Sequence, residues 1–328
     1  IMGQDGGVVS AILVYLLEND IVDEVSVVGE DKDAPWRPES YLTSKIQDVI
    51  KAAGIQIFCN TSKQGMLEKA EKYMEQAIQN YPDIDLFVLP EQFYQMDCYE
   101  YENEIYGEYE HGMFEEWLSQ CAKKYHTNII GGSYAVRPAK KRAENENIHE
   151  KVHNRCLVMN RNGERVGFYD KIHLFDAFGV KESDTFLSGS QLGLFQLDIG
   201  KVGVWICYDT RFPEIARTLR ANGAEILCVP AAFYSPNADQ WDIIVKASAI
   251  CNVTPVVAVN QYGTLPNERS LFGRSRIVDA KGLIVAGMSD KEGYFVGEID
   301  KEYTQKCRKE NPEMENRRMD LYKTWYNE

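Results

Sequence analysis

The sequence predicts an α/β protein built on a mixed sheet, and three observations carry that expectation. From about Ile55 onward, short apolar runs alternate with segments of helical periodicity. Some of those runs are joined through helices and others through the turn dipeptide Asn162-Gly163, so parallel and antiparallel pairing are both expected. The chain has 328 residues, 44% hydrophobic and 26% charged, enough for a sizeable core in one large domain or two ordinary ones.

The elements follow in order. Residues 1–53 read as a helix over 8–17, a short strand over 25–28, the polar loop DKDAPWRPES, and a helix over 43–53. In GMLEKAEKYMEQAIQ, Leu67, Ala70, Met74, Ala77 and Ile78 share one face, which is helical spacing. After Pro82, DLFVLPE is a short apolar run ending in a carboxylate, as expected of a strand buried on both faces. NIIGGSYAV is a further strand, and CLVMNRNGERVGFYDK a hairpin around Asn162-Gly163. KVGVWICYD is a strand. FPEIARTLRANG is a helix with Pro213 in its first turn and Gly223 past its end. EILCVP, TPVVAVNQ, SRIVDAKGLIVAG and GYFVGEID continue as strands, with WDIIVKASAI a helix among them. No repeat or low-complexity segment interrupts the pattern.

Composition excludes several classes. A formal charge of −14 and the lack of any Lys/Arg run argue against nucleic acid and anionic membrane as partners. The apolar stretch VVSAILVYLL is about half the roughly twenty residues a membrane span needs, and no basic segment precedes it as in a signal peptide. The eight cysteines are dispersed without a Cys-x-x-Cys pair. This fits reduced thiols in a cytoplasmic protein and none of the common zinc or iron–sulfur spacings.

Four polar side chains stand where apolar strands stop or in the loops that follow. Glu91 ends DLFVLPE, Lys171 ends GFYDK, Glu182 lies in the loop KESDTF, and Cys207 ends VGVWIC just before a helix. Ligand-binding loops gather at the carboxyl ends of strands in α/β folds. A nucleophile on a sharp strand-to-helix turn is exposed for attack, and the N–H after it, here Tyr208, can hold an oxyanion. A cysteine needs a base and a positive field to become a thiolate. Glu91 can serve as that base, and Lys171 can supply the field and stabilise the tetrahedral oxyanion. Protonated Glu91 can then protonate the leaving amine and activate the water that cleaves the thioester. On the residues alone each has another reading. Cys207 can be a small buried hydrophobe, Glu91 a loop residue or helix cap, and Lys171 a strand-end surface charge. His173 is an alternative partner for Cys207.

LFVLPEQF, GFYDKIHLF and VGVWICYDTRFPEIAR resemble, in order, the three catalytic motifs of the nitrilase, or carbon–nitrogen hydrolase, superfamily. HNRCLVMN, FGRSRIVDAKG and RRMDLY add to the resemblance, which covers about residues 54–325. It implies Glu91 as general base, Lys171 as oxyanion stabiliser, Cys207 as nucleophile, and Glu182 as a second glutamate orienting Lys171 and substrate. The implied fold is an α-β-β-α sandwich, dimerised into an eight-layer assembly, with no metal or organic cofactor. CYDTRFPEIAR resembles the omega-amidase and related amidase branch more than true nitrilases, which implies hydrolysis of a small linear amide, with a carboxylate on the substrate as one possibility, over nitrile hydrolysis. Arg211, Phe233 and Tyr234 would border the substrate, although an ion pair near the elbow would equally explain Arg211. N-carbamyl-amine hydrolysis, acyl transfer, and a catalytically inactive binding protein keeping the fold are the alternatives. Substrate choice would rest on loops 96–113, 175–188 and 233–239.

Residues 1–53 resemble instead a fragment of the beta subunit of deazaflavin-coenzyme-reducing hydrogenases, a flavin and iron–sulfur protein. The fragment contains no cysteine, so neither cofactor is expected of it. The division expected is thus an appended segment over 1–53, not needed for catalysis, and a hydrolase domain over 54–328. GIQIFCN is shorter than the family's first strand, so the preceding residues either complete that strand or hang from it.

Overall fold

The computed structural model describes residues 25–30, 38–43, 49–95, 107–138, 151–265 and 268–325. The chain divides into two compact units, Ile1–Asp48 and Val49–Glu328. In the first, Val25–Glu30 and Pro38–Thr43 pair antiparallel, with Val25 opposite Thr43 and Glu30 opposite Pro38. The polar loop expected at 31–40 therefore ends in a strand. The helix expected over 8–17 lies outside the described residues.

Of the helix expected over 43–53, residues 44–48 lie outside the described residues and 49–53 are not helical. Val49–Gln56 is a strand instead, paired antiparallel with Gly293–Asp300 and parallel with Leu86–Val88. Lys, Ala and Ile favour a helix locally, but burial decides here. Ile50 and Ala52 enter one core while Ala53 and Ile55 enter another, an alternation of period two that a helix would destroy.

Two sheets make up the second unit. One has eight strands, with Phe186–Leu187, Val152–Met159, Asn128–Ile130, Leu86–Val88, Val49–Gln56 and Gly293–Asp300 in spatial order. Tyr134–Val136 and Arg165–Asp170 also pair with Val152–Met159. The other has six strands: Gly193–Leu197, Gly200–Val204, Ile226–Ala231, Val256–Asn260, Arg276–Val278 and Ile284–Gly287. Both are mixed, as helix-linked and hairpin-linked strands require.

Side-chain alternation sorts the core into layers. Ile50, Leu86, Val88, Ile130 and Val158 of the larger sheet pack with Val202, Val204, Ile226 and Cys228 of the smaller, filling the space between them. The opposite face of the larger sheet, with Ala53, Ile55, Phe87 and Ile129, packs on the helices Lys63–Asn80 and Met113–Tyr125. Leu227, Val229, Val256 and Ala258 share a core with Ile215, Leu219, Trp241 and Val245 of the helices Pro213–Ala221 and Ala238–Ile250. The layers run helix, sheet, sheet, helix. Among the described residues no helix is long and apolar enough to cross a membrane.

NIIGGSYAV, read as one strand, is two: Asn128–Ile130 and Tyr134–Val136. Gly132 separates them at φ 66°, and a Cβ there would lie 2.2 Å from the Pro90 carbonyl oxygen. The chain can pass this close to the segment carrying Glu91 only because position 132 has no side chain.

A chain beginning at Val49 should keep the full cooperative melt of the second unit. One beginning at Gly54 loses five of the eight paired residues of the strand Val49–Gln56, with buried Ile50, Ala52 and Ala53. It should be at least about 3 kcal/mol less stable, and equal melting of the two truncations would show that the strand's first half is dispensable.

Candidate active site

Each candidate residue sits just past the carboxyl end of a strand or in the loop beyond it, and each is tied down by its own backbone. Leu86–Val88 leads through Leu89 and Pro90 to Glu91, whose carbonyl accepts 2.7 Å from Gln261 Nε2; Gln261 Oε1 in turn accepts from the Cys59 N–H. Lys171 follows the strand Arg165–Asp170. Its N–H donates to the Asn154 carbonyl at 2.9 Å, and its own carbonyl accepts from Gly189 N–H at 2.8 Å. Glu182 opens the single 3-10 turn Glu182–Asp184. Cys207 begins the 3-10 turn Cys207–Arg211 at φ 49°, and the helix Pro213–Ala221 starts only after it. A cysteine in the left-handed region is strained and points its sulfur out of the turn.

These four side chains meet. Lys171 Nζ donates to Glu91 Oε1 at 2.9 Å and to Glu182 Oε2 and Oε1 at 2.8 and 3.1 Å. The ammonium is only 2% exposed. Burial alone would draw its pKa down, but Glu182 and then Glu91 outweigh that and hold it well above the ordinary lysine value. Glu182 is fixed further by the Phe175 N–H at 2.6 Å. The Cys207 thiol lies within the electrostatic reach of Glu91 and Lys171. Burial and then Glu91 push its pKa well above the ordinary thiol value, and the opposing pull of Lys171 and of the Ala232 backbone does not prevail.

That differs from the field expected of Lys171. Its single charge is shared by two carboxylates and does not offset burial and the field of Glu91, which favour the neutral thiol at Cys207.

One member of this network escaped the reading of the sequence. Asn154 is fully buried on the strand Val152–Met159, and its Nδ2 donates to Glu91 Oε1 at 2.9 Å and Glu182 Oε1 at 3.2 Å. It braces the two carboxylates that repel each other across Lys171. The signal was an asparagine just before the apolar run CLVM. Nothing local says that its amide faces two glutamates from other segments.

A cavity of about 280 Å³ opens over these residues, lined by Glu91, Lys171, Glu182 and Cys207. Tyr208, Arg211, Phe233 and Tyr234 line it as well. Tyr208 is the second residue of its 3-10 turn, so its N–H belongs to the first-turn donors that lack an acceptor within the turn. Arg211 donates through Nη1 to Gln240 Oε1 at 2.7 Å. Its Nε and Nη2 are buried without a hydrogen-bond partner, and no ion pair to it is present among the described residues. The structural ion pair weighed for Arg211 is therefore not formed. His173 does not border the cavity: its ring stacks on Phe212 with centroids 3.6 Å apart, and its Nδ1 lies 2.8 Å from Asp209 Oδ1. Of the three loops expected to shape the substrate, 175–188 and 233–239 both contribute lining residues. Residues 96–106 of the other lie outside the described ones. Among the described residues no three or more His, Cys, Asp or Glu side chains are grouped as metal ligands.

The carbon–nitrogen hydrolase family model matches residues 51–309. The chain belongs to the carbon–nitrogen hydrolase family. It is a hydrolase of non-peptide carbon–nitrogen bonds. A probable nitrilase of Schizosaccharomyces pombe is 35% identical over 265 residues, 78% of this chain and 91% of the relative. An omega-amidase of Saccharomyces cerevisiae is 29% identical over 283 residues, 83% of this chain and 94% of the relative. A crystal structure of a carbon–nitrogen hydrolase from Helicobacter pylori superposes with a TM-score of 0.73 at 27% identity, covering 86% of this chain and 99% of that one. The N-terminal model of the coenzyme F420 hydrogenase/dehydrogenase beta subunit matches residues 1–62, so the two matches overlap at 51–62.

The protonation state of this carbon–nitrogen hydrolase's thiol is open to measurement. Alkylation of Cys207 by iodoacetamide, followed on its own peptide by mass spectrometry, should keep accelerating above about pH 8.5, the ordinary free-thiol pKa. Glu91→Gln removes a negative neighbour and should move the midpoint down. A plateau reached below neutral pH in the parent protein would show a resting thiolate and contradict this account.

Proposed function

We propose that the protein is an amidase that hydrolyses a small linear amide also bearing a carboxylate, through a thioester on Cys207. The observation that carries this reading is that a thiol, a carboxylate and an ammonium from three distant segments line one cavity, with the ammonium hydrogen-bonded to the carboxylate. As Cys207 Sγ attacks the amide carbon, its proton passes to Glu91. The oxygen becomes an oxyanion facing Lys171 Nζ and the Tyr208 N–H. The tetrahedral species collapses, the C–N bond breaks, and Glu91 returns the proton to the departing nitrogen, which leaves as ammonia or an amine. Water then gives a proton to Glu91 and adds to the thioester. Collapse releases the carboxylic acid and restores the thiol with that proton.

Arg211 supports the choice of substrate. A guanidinium with Nε and Nη2 buried and unpartnered lines the cavity, flanked by the rings of Tyr208 and Phe233 at 6.0 and 5.6 Å. Two such N–H groups match a carboxylate. Relatives that are an omega-amidase and a 2-oxoglutaramate amidase support an amide substrate. The same family reading makes the enzyme a homodimer or larger homo-oligomer, and its dispersed cysteines fit a cytoplasmic location; residues 1–48 belong to a unit separate from the catalytic one.

Ammonia release from a panel of short amides tests the mechanism. Cys207→Ala should lose at least about 10⁴-fold in kcat and Glu91→Gln about 10²- to 10⁴-fold. Parent-level activity of Cys207→Ala would remove the thiol from the reaction. Carbon dioxide appearing with ammonia would mark an N-carbamyl-amine hydrolase, and an acylated amine product an acyltransferase. Absence of any thioester on Cys207 with every amide would mark a binding protein. Arg211→Met should raise KM about 10- to 100-fold for carboxylate-bearing amides, the loss of a charged hydrogen-bonding group, and leave neutral amides nearly unchanged. An equal change for both kinds would dismiss the carboxylate contact.

A further inference from the structure

A buried carboxylate outside the cavity joins the two segments that carry the thiol and the ammonium. Asp209 has no exposed surface. Its Oδ2 accepts from the Tyr169 hydroxyl at 2.7 Å and from the Ile206 N–H at 3.1 Å. Its Oδ1 accepts from the His173 N–H at 2.8 Å and lies 2.8 Å from His173 Nδ1. Tyr169 and His173 stand two residues either side of Lys171, while Ile206 precedes Cys207 and Asp209 follows it by two. One carboxylate therefore grips the Lys171 segment on both flanks and the Cys207 turn from within.

We propose that Asp209 is a positioning residue that fixes the distance between Cys207 Sγ and Lys171 Nζ. The proposal rests on the catalytic reading of those two residues given above. Three features argue for it. The ties run between separate segments, since Tyr169 and Asp209 are forty residues apart in sequence. They close on a turn whose first residue, Cys207, sits in the left-handed region at φ 49°, a conformation that persists only where surrounding contacts enforce it. All the contacts fall on a group that does not line the cavity, so they act on substrate only through the two residues they hold. The geometry also fixes the tautomer of His173. To donate to Asp209, Nδ1 must carry a proton, and stacking on Phe212 holds the ring in that plane. The Tyr169 hydroxyl keeps its proton as well, because burial and then Asp209 push its pKa far above the ordinary value.

Asparagine at 209 would turn an N–H₂ toward donors on one side of the clamp. The full-length protein is assayed with folded active sites counted from its native circular dichroism at the assay temperature, so that unfolded molecules do not enter the rate. Asp209→Asn should lose about 100-fold in kcat, the scale of an ångström-sized misplacement, with KM changed less than about threefold. Tyr169→Phe removes one donor without changing shape and should lose about tenfold with the same signature, and it decides the matter if Asp209→Asn does not fold. The double variant should be no slower than Asp209→Asn alone, because both act through one network. Parent kcat per counted site in Tyr169→Phe and in any folded Asp209→Asn, with only a lower melting temperature, would reduce Asp209 to a structural role and overturn the proposal. Cys207→Ala run alongside separates the two readings. If it is inactive while the clamp variants keep parent kcat, only the positioning role falls. If it is active, the catalytic reading falls first.

Discussion

The burial of one ammonium between two carboxylates is the constraint on which the site depends. Lys171 is fully enclosed, and leaving a lysine charge unpaired in such a place would cost several kcal/mol. Glu91 and Glu182 meet it from opposite segments. Burial, and then the Glu91 carboxylate beside it, push the Cys207 thiol's pKa well above its ordinary value, so the proposed attack begins from a protonated thiol. Moving the proton from Cys207 to Glu91 leaves the total charge of the cavity unchanged. Little reorganisation is then demanded of a buried site, where changes in net charge are costly.

The fold supplies the convergence. Leu86–Val88, Arg165–Asp170 and Gly200–Val204 belong to two sheets packed face to face, yet the chain leaving each of them reaches the same cavity. Apolar residues fill the space between the sheets, from Val88 and Ile130 on one side to Val204 and Cys228 on the other. Polar atoms appear only where the strands end. There they are joined across segments: Asn154 Nδ2 to both glutamates, Gln261 to the Glu91 carbonyl, and Asp209 to both flanks of Lys171, with Asn154 Oδ1 left without a partner. Bonds of this kind between remote segments restrict the side chains they join.

Much of this was legible from local patterns. DLFVLPE, GFYDK and VGVWIC each announced a strand with a reactive side chain at its end, because a buried strand tolerates a charged residue only where it emerges. The hairpin of CLVMNRNGERVGFYDK, the helix GMLEKAEKYMEQAIQ and the helix after Pro213 follow from periodicity and turn chemistry. The failures share one cause. VIKAA reads as helix because its neighbours in sequence allow one, whereas the strands it pairs with, 293–300 and 86–88, are distant in the chain. Asn154 and Asp209 look like ordinary polar residues beside apolar runs, and their importance comes from donors and acceptors on other segments.

The sequence by itself determined the strand and helix periodicities, the order of the carboxylate, ammonium and thiol, and the sharp turn at Cys207, since all of these are properties of contiguous residues. Tertiary structure alone decided that Lys171 is shared by two glutamates, that the thiol rests protonated, that Arg211 keeps two nitrogens without a partner, and that Val49–Gln56 is a strand. Each of those depends on which remote groups exclude water from one another. Burial and electrostatic balance arise only when separate segments are packed together, so no local stretch of residues encodes them alone.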